Sequence, residues 1–119
     1  MKLILKMTVT GLAALLFTAV LPRAAAAEAD VKTERLWKVK CASCHGADGK
    51  GKTETGEKLG IPDMTTADWQ KKVTDAEAKT AILDGFKRPD KKDGMDGYKE
   101  KLEPVQVDAL VAHVRSLGK

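Results

Sequence analysis

Polar and apolar positions divide the chain into a short uncharged opening and a polar remainder patterned for helices. Met7 to Leu21 is a run of 15 residues with no charge, preceded by Lys2 and Lys6 and closed by Pro22. Beyond it, Asp30 can cap a helix running through about Ala42, with Leu36, Trp37 and either Val31 or Val39 as its apolar side. Gly46 to Gly60 also holds Asp48, Gly49, Gly51 and Gly56, and predicts a loop. Thr65 or Thr66 opens a short helix holding Trp69. Thr74 or Asp75 caps another over Ala76 to Leu83, which Gly85 ends. Lys87 to Lys101 is rich in Gly, Asp and Lys and predicts a flexible loop around Met95. Pro104 then stands in the first turn of a closing helix, where its missing N–H is harmless. Val107, Leu110, Val111, Val114 and Leu117 follow helical spacing along it, and Gly118 closes it. No strand is predicted. The expected class is all-α, about four short helices joined by loops.

The opening reads as an export signal. A basic start, an apolar stretch and the small residues Ala24 to Ala27 before Glu28 match what signal peptidase cuts. The expected division is therefore a signal peptide over residues 1–27 and one domain over residues 28–119. Retention as a membrane anchor is the competing reading, but 15 residues fall short of the roughly 20 that span a bilayer. No cysteine near the cut offers a site for a lipid. The domain is thus expected outside the cytoplasm, in the periplasm or an equivalent compartment.

Cleavage changes the charge. Lys2, Lys6 and Arg23 leave with the leader and no acid does, so the formal balance falls from +4 to +1. The full-chain pI near 9.1 is misleading on this point, and interleaved acids and bases exclude a nucleic-acid surface. The remaining aromatic residues are Trp37, Trp69, Phe86 and Tyr98, few for a self-sufficient core in so short a domain. Composition permits a fold centred on a large apolar cofactor.

The chemistry lies in Cys41-Ala42-Ser43-Cys44-His45, which holds the chain's two cysteines. C-x-x-C-H is the attachment signature of c-type haem. Two thiols at this spacing can each add to one vinyl group, and the next residue then places an imidazole nitrogen under the iron. Other uses of C-x-x-C fit less well. A thioredoxin-like redox pair needs a preceding strand, whereas the stretch before Cys41 is charged and helical. Zinc needs further ligands, and only His113 remains. A plain disulfide would be strained and leaves His45 unexplained.

On these residues, over 30–117, the chain resembles the class I cytochromes c, small mono-haem electron carriers. The closing run Leu110-Val-Ala-His-Val-Arg-Ser-Leu117 looks like the family's last helix, and Trp37 matches an aromatic often found four positions before the first cysteine. The resemblance implies a cytochrome c-like fold around one covalent haem c, with cofactor-binding residues Cys41, Cys44, His45 and Met95. His45 and Met95 would be the iron ligands. Met64 and His113 are the other candidates for the sixth position. Met64 follows Pro62, whose carbonyl in the family accepts a hydrogen bond from the proximal imidazole, and it reads as a core residue. His113 reads as packing at the helix crossing. Asp96 after the methionine, and Thr33 where a glycine often stands, depart from the family pattern.

Histidine–methionine ligation leaves no open position on iron, so the implied function is one-electron transfer between Fe(III) and Fe(II), not catalysis. Two ionised propionates would take the formal charge to about −1. The expected partners are transient redox proteins, the carrier itself being a monomer. Lys87, Arg88, Lys91, Lys92, Lys99 and Lys101 around Met95, interleaved with Asp90, Asp93, Asp96 and Glu100, read either as a solvated loop or as a docking face for an acidic partner. Two alternatives remain: a haem enzyme or gas sensor with an open sixth site, and an electron-donor subunit of a larger oxidoreductase.

Overall fold

The computed structural model describes residues 23–119. The basic start and the uncharged run through Leu21 lie outside them. Six helices follow: α1 (Arg23–Lys40), α2 (Ala42–His45), α3 (Glu54–Leu59), α4 (Ala67–Lys72), α5 (Asp75–Asp84) and α6 (Pro104–Ser116). Among the described residues no helix is long and apolar enough to cross a membrane. The all-α expectation holds, with two more helices than foreseen. α2 is a single turn around the cysteines, and α3 forms inside the expected Gly46–Gly60 loop.

Helix starts follow local chemistry. Thr53, Thr66 and Thr74 each have extended backbone and accept a hydrogen bond from an N–H three residues on, at Gly56, Trp69 and Glu77. Glu77 returns the contact by accepting from the Thr74 N–H at 2.8 Å, closing a capping box. α1 is the exception, because it already includes residues 23–29 and does not begin at Asp30. Ala24 to Ala27 are the strongest helix formers, so nothing stops the helix at Asp30, which lies inside it. The position expected for cleavage, after Ala27, therefore falls within α1.

The core is small. α6 packs on α1 and α5, while α2 packs on α1 and α3. Val107 and Leu110 are each 1% exposed, and Trp37, Met64, Leu102 and Val114 complete the buried cluster. Burying each aliphatic side chain contributes about 1.5–3 kcal/mol. Met64 is a core residue, as expected.

Polar side chains tie the short helices to α6. Arg115 donates to Asp75 at 2.6 Å, to the Val73 carbonyl at 2.5 Å and to the Gln70 carbonyl at 2.9 Å. Gln70 in turn donates to the carbonyls of Met64 and Val114. The Arg115 bonds satisfy the carbonyls of Gln70 and Val73 at the end of α4, which a six-residue helix cannot satisfy within itself.

Candidate functional site

α1 gives way to α2 at Cys41, a turn residue that closes the first helix and caps the second. Cys41 N–H donates to Trp37 O at 2.8 Å, and His45 N–H donates to Cys41 O at 2.9 Å. Residues three and four apart share a helix face, so Cys41 presents the same side as Cys44 and as His45. Both cysteines are free and half-buried. Burial pushes the Cys41 thiol up to about 11, with the neighbouring Cys44 adding to the effect, so it is neutral at physiological pH.

Three contacts brace this turn from different elements. The Trp37 indole N–H donates to Gly46 O at 3.1 Å, with the indole 4% exposed and its centroid 5.8 Å from that of His45. Thr53 uses one hydroxyl twice, donating to Cys44 O at 3.0 Å while capping α3. Tyr98 donates to Lys40 O at 3.1 Å and packs against the core beside Cys41 and Ala42. Gly56 has no room for a side chain, since a Cβ there would stand 2.5 Å from Cys44 O and nearer still to Gly51 O.

His45 is unusual in what it lacks. Its Nδ1 is buried with no hydrogen-bond partner, whereas Nε2 is not enclosed. The bond to the Pro62 carbonyl that the resemblance implies is therefore not formed. Burial holds the imidazole below its ordinary pKa, leaving it neutral and able to ligate. Two free thiols and a neutral imidazole on one face suit a covalently held haem. Among the described residues no cluster of three or more His, Cys, Asp or Glu could hold a bare metal ion.

Met95 stands in a firmer place than its glycine-rich surroundings predict. Its N–H donates to Phe86 O at 2.8 Å and its carbonyl accepts from Phe86 N–H at 2.9 Å. Tyr98 N–H and Lys99 N–H then donate to Ile82 O and Leu83 O. Residues 82–86 and 95–99 thus form a pinned ribbon at the base of the 87–94 loop. Through Tyr98, this ribbon is fastened to the cysteine turn.

His113 lies on α6 with its ring centroid 5.1 Å from Trp37, so it packs at the α1–α6 crossing as expected. Its Nε2 is buried and unpartnered, and it borders a cleft of about 340 Å³ with Thr33 and Glu34. Arg88 is no free docking charge, because its guanidinium donates to Leu59 O at 2.5 Å and Gly60 O at 3.3 Å. Lys87, Lys91, Lys92, Lys99 and Lys101 remain exposed. Sequence reasoning assigned no role to Tyr98, Thr53 or Phe86. Each acts through tertiary geometry that leaves no spacing signal.

Comparison with known proteins shows the family. The sequence pattern of the family described as Cytochrome c matches residues 31–118. FixP, a cbb3-type cytochrome c oxidase subunit of Rhizobium meliloti (strain 1021), is 37% identical over 78 residues, which cover 66% of this chain and 24% of that protein. CcoP, the corresponding subunit of Rhodobacter capsulatus, is 32% identical over 88 residues, covering 71% and 28%. The chain thus spans about a quarter of the length of these curated relatives. Among solved structures, the KustC0563 c-type cytochrome superposes with a TM-score of 0.64 at 37% identity, covering 73% of this chain and 98% of that one.

Proposed function

The chain belongs to the cytochrome c family, and from that premise we propose that it is a one-electron carrier holding a single haem c. The observation that carries this reading is the braced turn that puts Cys41, Cys44 and His45 on one helix face. When bound, the haem supplies a reversible Fe(III)/Fe(II) couple.

The chain's own residues do the rest. The Cys41 and Cys44 thiols would hold the haem by thioether bonds, each adding across a vinyl group with sulfur on one carbon and hydrogen on the other. His45 Nε2 and the Met95 thioether would hold the iron, and Trp37 and Thr53 fix the backbone around His45. A soft sulfur ligand favours the reduced state and raises the potential. With the iron held by both residues, the chain would pass electrons rather than bind a substrate. The exposed lysines around the 87–94 loop fit brief docking to an acidic redox partner.

We assign residues 1–27 to a signal peptide and residues 28–119 to a monomeric, periplasmic domain, on the basic-then-uncharged opening and the small residues before Glu28. A second reading, as an electron-donor module of a larger oxidoreductase, draws support from the cbb3 oxidase subunits among its relatives. Co-purification from the native membrane separates the two.

The decisive experiment expresses the chain in a host able to attach haem, then measures mass and redox spectra. A mass higher by one porphyrin, with loss of both thiols and reversible one-electron titration, is expected. Free thiols or a missing adduct refute the proposal.

A further inference from the structure

Phe86 and Met95 exchange both backbone hydrogen bonds, which makes them a directly opposed antiparallel pair. Side chains of such a pair stand on the same face of the ribbon, with Cβ atoms about 4.5–5.5 Å apart. Glycine packing fixes that register. A Cβ on Gly85, whose φ is +83°, would meet Met95 O at 2.5 Å, and one on Gly97 would meet Leu83 O at 2.6 Å. The two segments cross so closely that a slip of one residue would drive side chains into backbone.

Phe86 is 58% exposed, although it is a large apolar residue beside the buried cluster's satellites Ile82 and Leu83. A solitary exposed apolar side chain ordinarily needs no explanation. Here the register supplies one, because whatever the Met95 thioether faces, the Phe86 ring faces too.

We propose that Phe86 is a positioning residue for the sixth iron ligand: its ring flanks the Met95 thioether on the haem side of the ribbon and shields the iron–sulfur bond from water and small ligands. The inference rests on Met95 as the sixth ligand and extends that reading to a residue it does not include. Phe86 does not touch iron. It restricts the thioether's rotamers through a sulfur–aromatic contact and closes the gap through which a competing ligand would enter.

The test uses haem-loaded protein carrying Phe86→Ala, with Phe86→Leu as the conservative variant and Val105→Ala as a control at another exposed apolar position. Two readouts report the bond itself: the weak red-end absorption band of oxidised iron–thioether ligation, and carbon monoxide uptake by the ferrous protein. Sulfur–aromatic contacts have strengths that correspond to changes of up to about tenfold in an equilibrium constant. Phe86→Ala is therefore expected to weaken the band and raise carbon monoxide affinity several-fold to about tenfold, Phe86→Leu to restore most of both, and Val105→Ala to change neither. A thermal melt checks that the alanine variant folds. Wild-type band and carbon monoxide affinity in a folded Phe86→Ala protein overturn the proposal. A wild-type protein that lacks the band and takes up carbon monoxide freely overturns the Met95 assignment first, and this inference with it.

Discussion

Replacing Trp37 by Phe tests whether the indole fastens the haem-attachment turn. The ring is 4% exposed, and its N–H donates to Gly46 O at 3.1 Å, one residue past His45. Two costs arise. The lost hydrogen bond removes about 0.5–1.5 kcal/mol, the ordinary net value, because Gly46 O keeps a second donor in Gly49 N–H. The lost ring volume, roughly 40 Å³, leaves a cavity costing about 1 kcal/mol at ~24 cal/mol per Å³. The sum is about 2 kcal/mol. For a domain of this size that lowers Tm by roughly 8–16 °C, at about 4–8 °C per kcal/mol. Thermal and urea unfolding of the haem-loaded protein measure it, with Trp69→Phe, a half-buried site, expected to lose less. A Trp37→Phe variant within about 0.5 kcal/mol of wild type, below the net value of one hydrogen bond, would refute the reasoning.

Other outcomes follow from the same geometry. Gly56→Ala forces a methyl against Cys44 O and Gly51 O, and should cost about 1–3 kcal/mol and lower the yield of haem-loaded protein, read by urea melts and mass spectrometry. Arg115→Met removes the donor to four oxygens, on Asp75, Val73 and Gln70, and should cost about 1–3 kcal/mol, whereas Asp75→Asn should cost less than about 1, since Asp75 is 71% exposed. Equal losses in the two variants would contradict that ranking. Burial holds the His113 pKa below its ordinary value, against a smaller opposing pull from Glu34. The unfolded chain then takes up a proton that the folded one resists. Stability should be complete above about pH 6.5 and fall as pH drops below it, and His113→Phe should flatten that fall. An unchanged slope in the haem-loaded variant removes His113 as the cause.

The attachment motif and the helix caps were legible because both are local. C-x-x-C-H carries its chemistry in five consecutive residues, and Thr66, Thr74 and Pro104 mark helix starts through bonds or constraints within one turn. α1 runs through Asp30 for an equally local reason, since alanine propensity outweighs the capping capacity of Asp30. α3 was hidden because its glycines read as breakers, although Gly56 sits inside a helix where only glycine fits against Cys44 O.

Sequence by itself thus determined the C-x-x-C-H run, the helical class and the core face of α6. Tertiary structure alone decided that Met95 is pinned opposite Phe86, that Arg88 is spent on the α3 carbonyls, and that Trp37, Thr53 and Tyr98 converge on the cysteine turn. The physical reason is range. A cap or a five-residue motif is satisfied by neighbours in the chain, whereas Tyr98 reaches Lys40 across 58 positions, and no periodicity encodes where two distant segments meet.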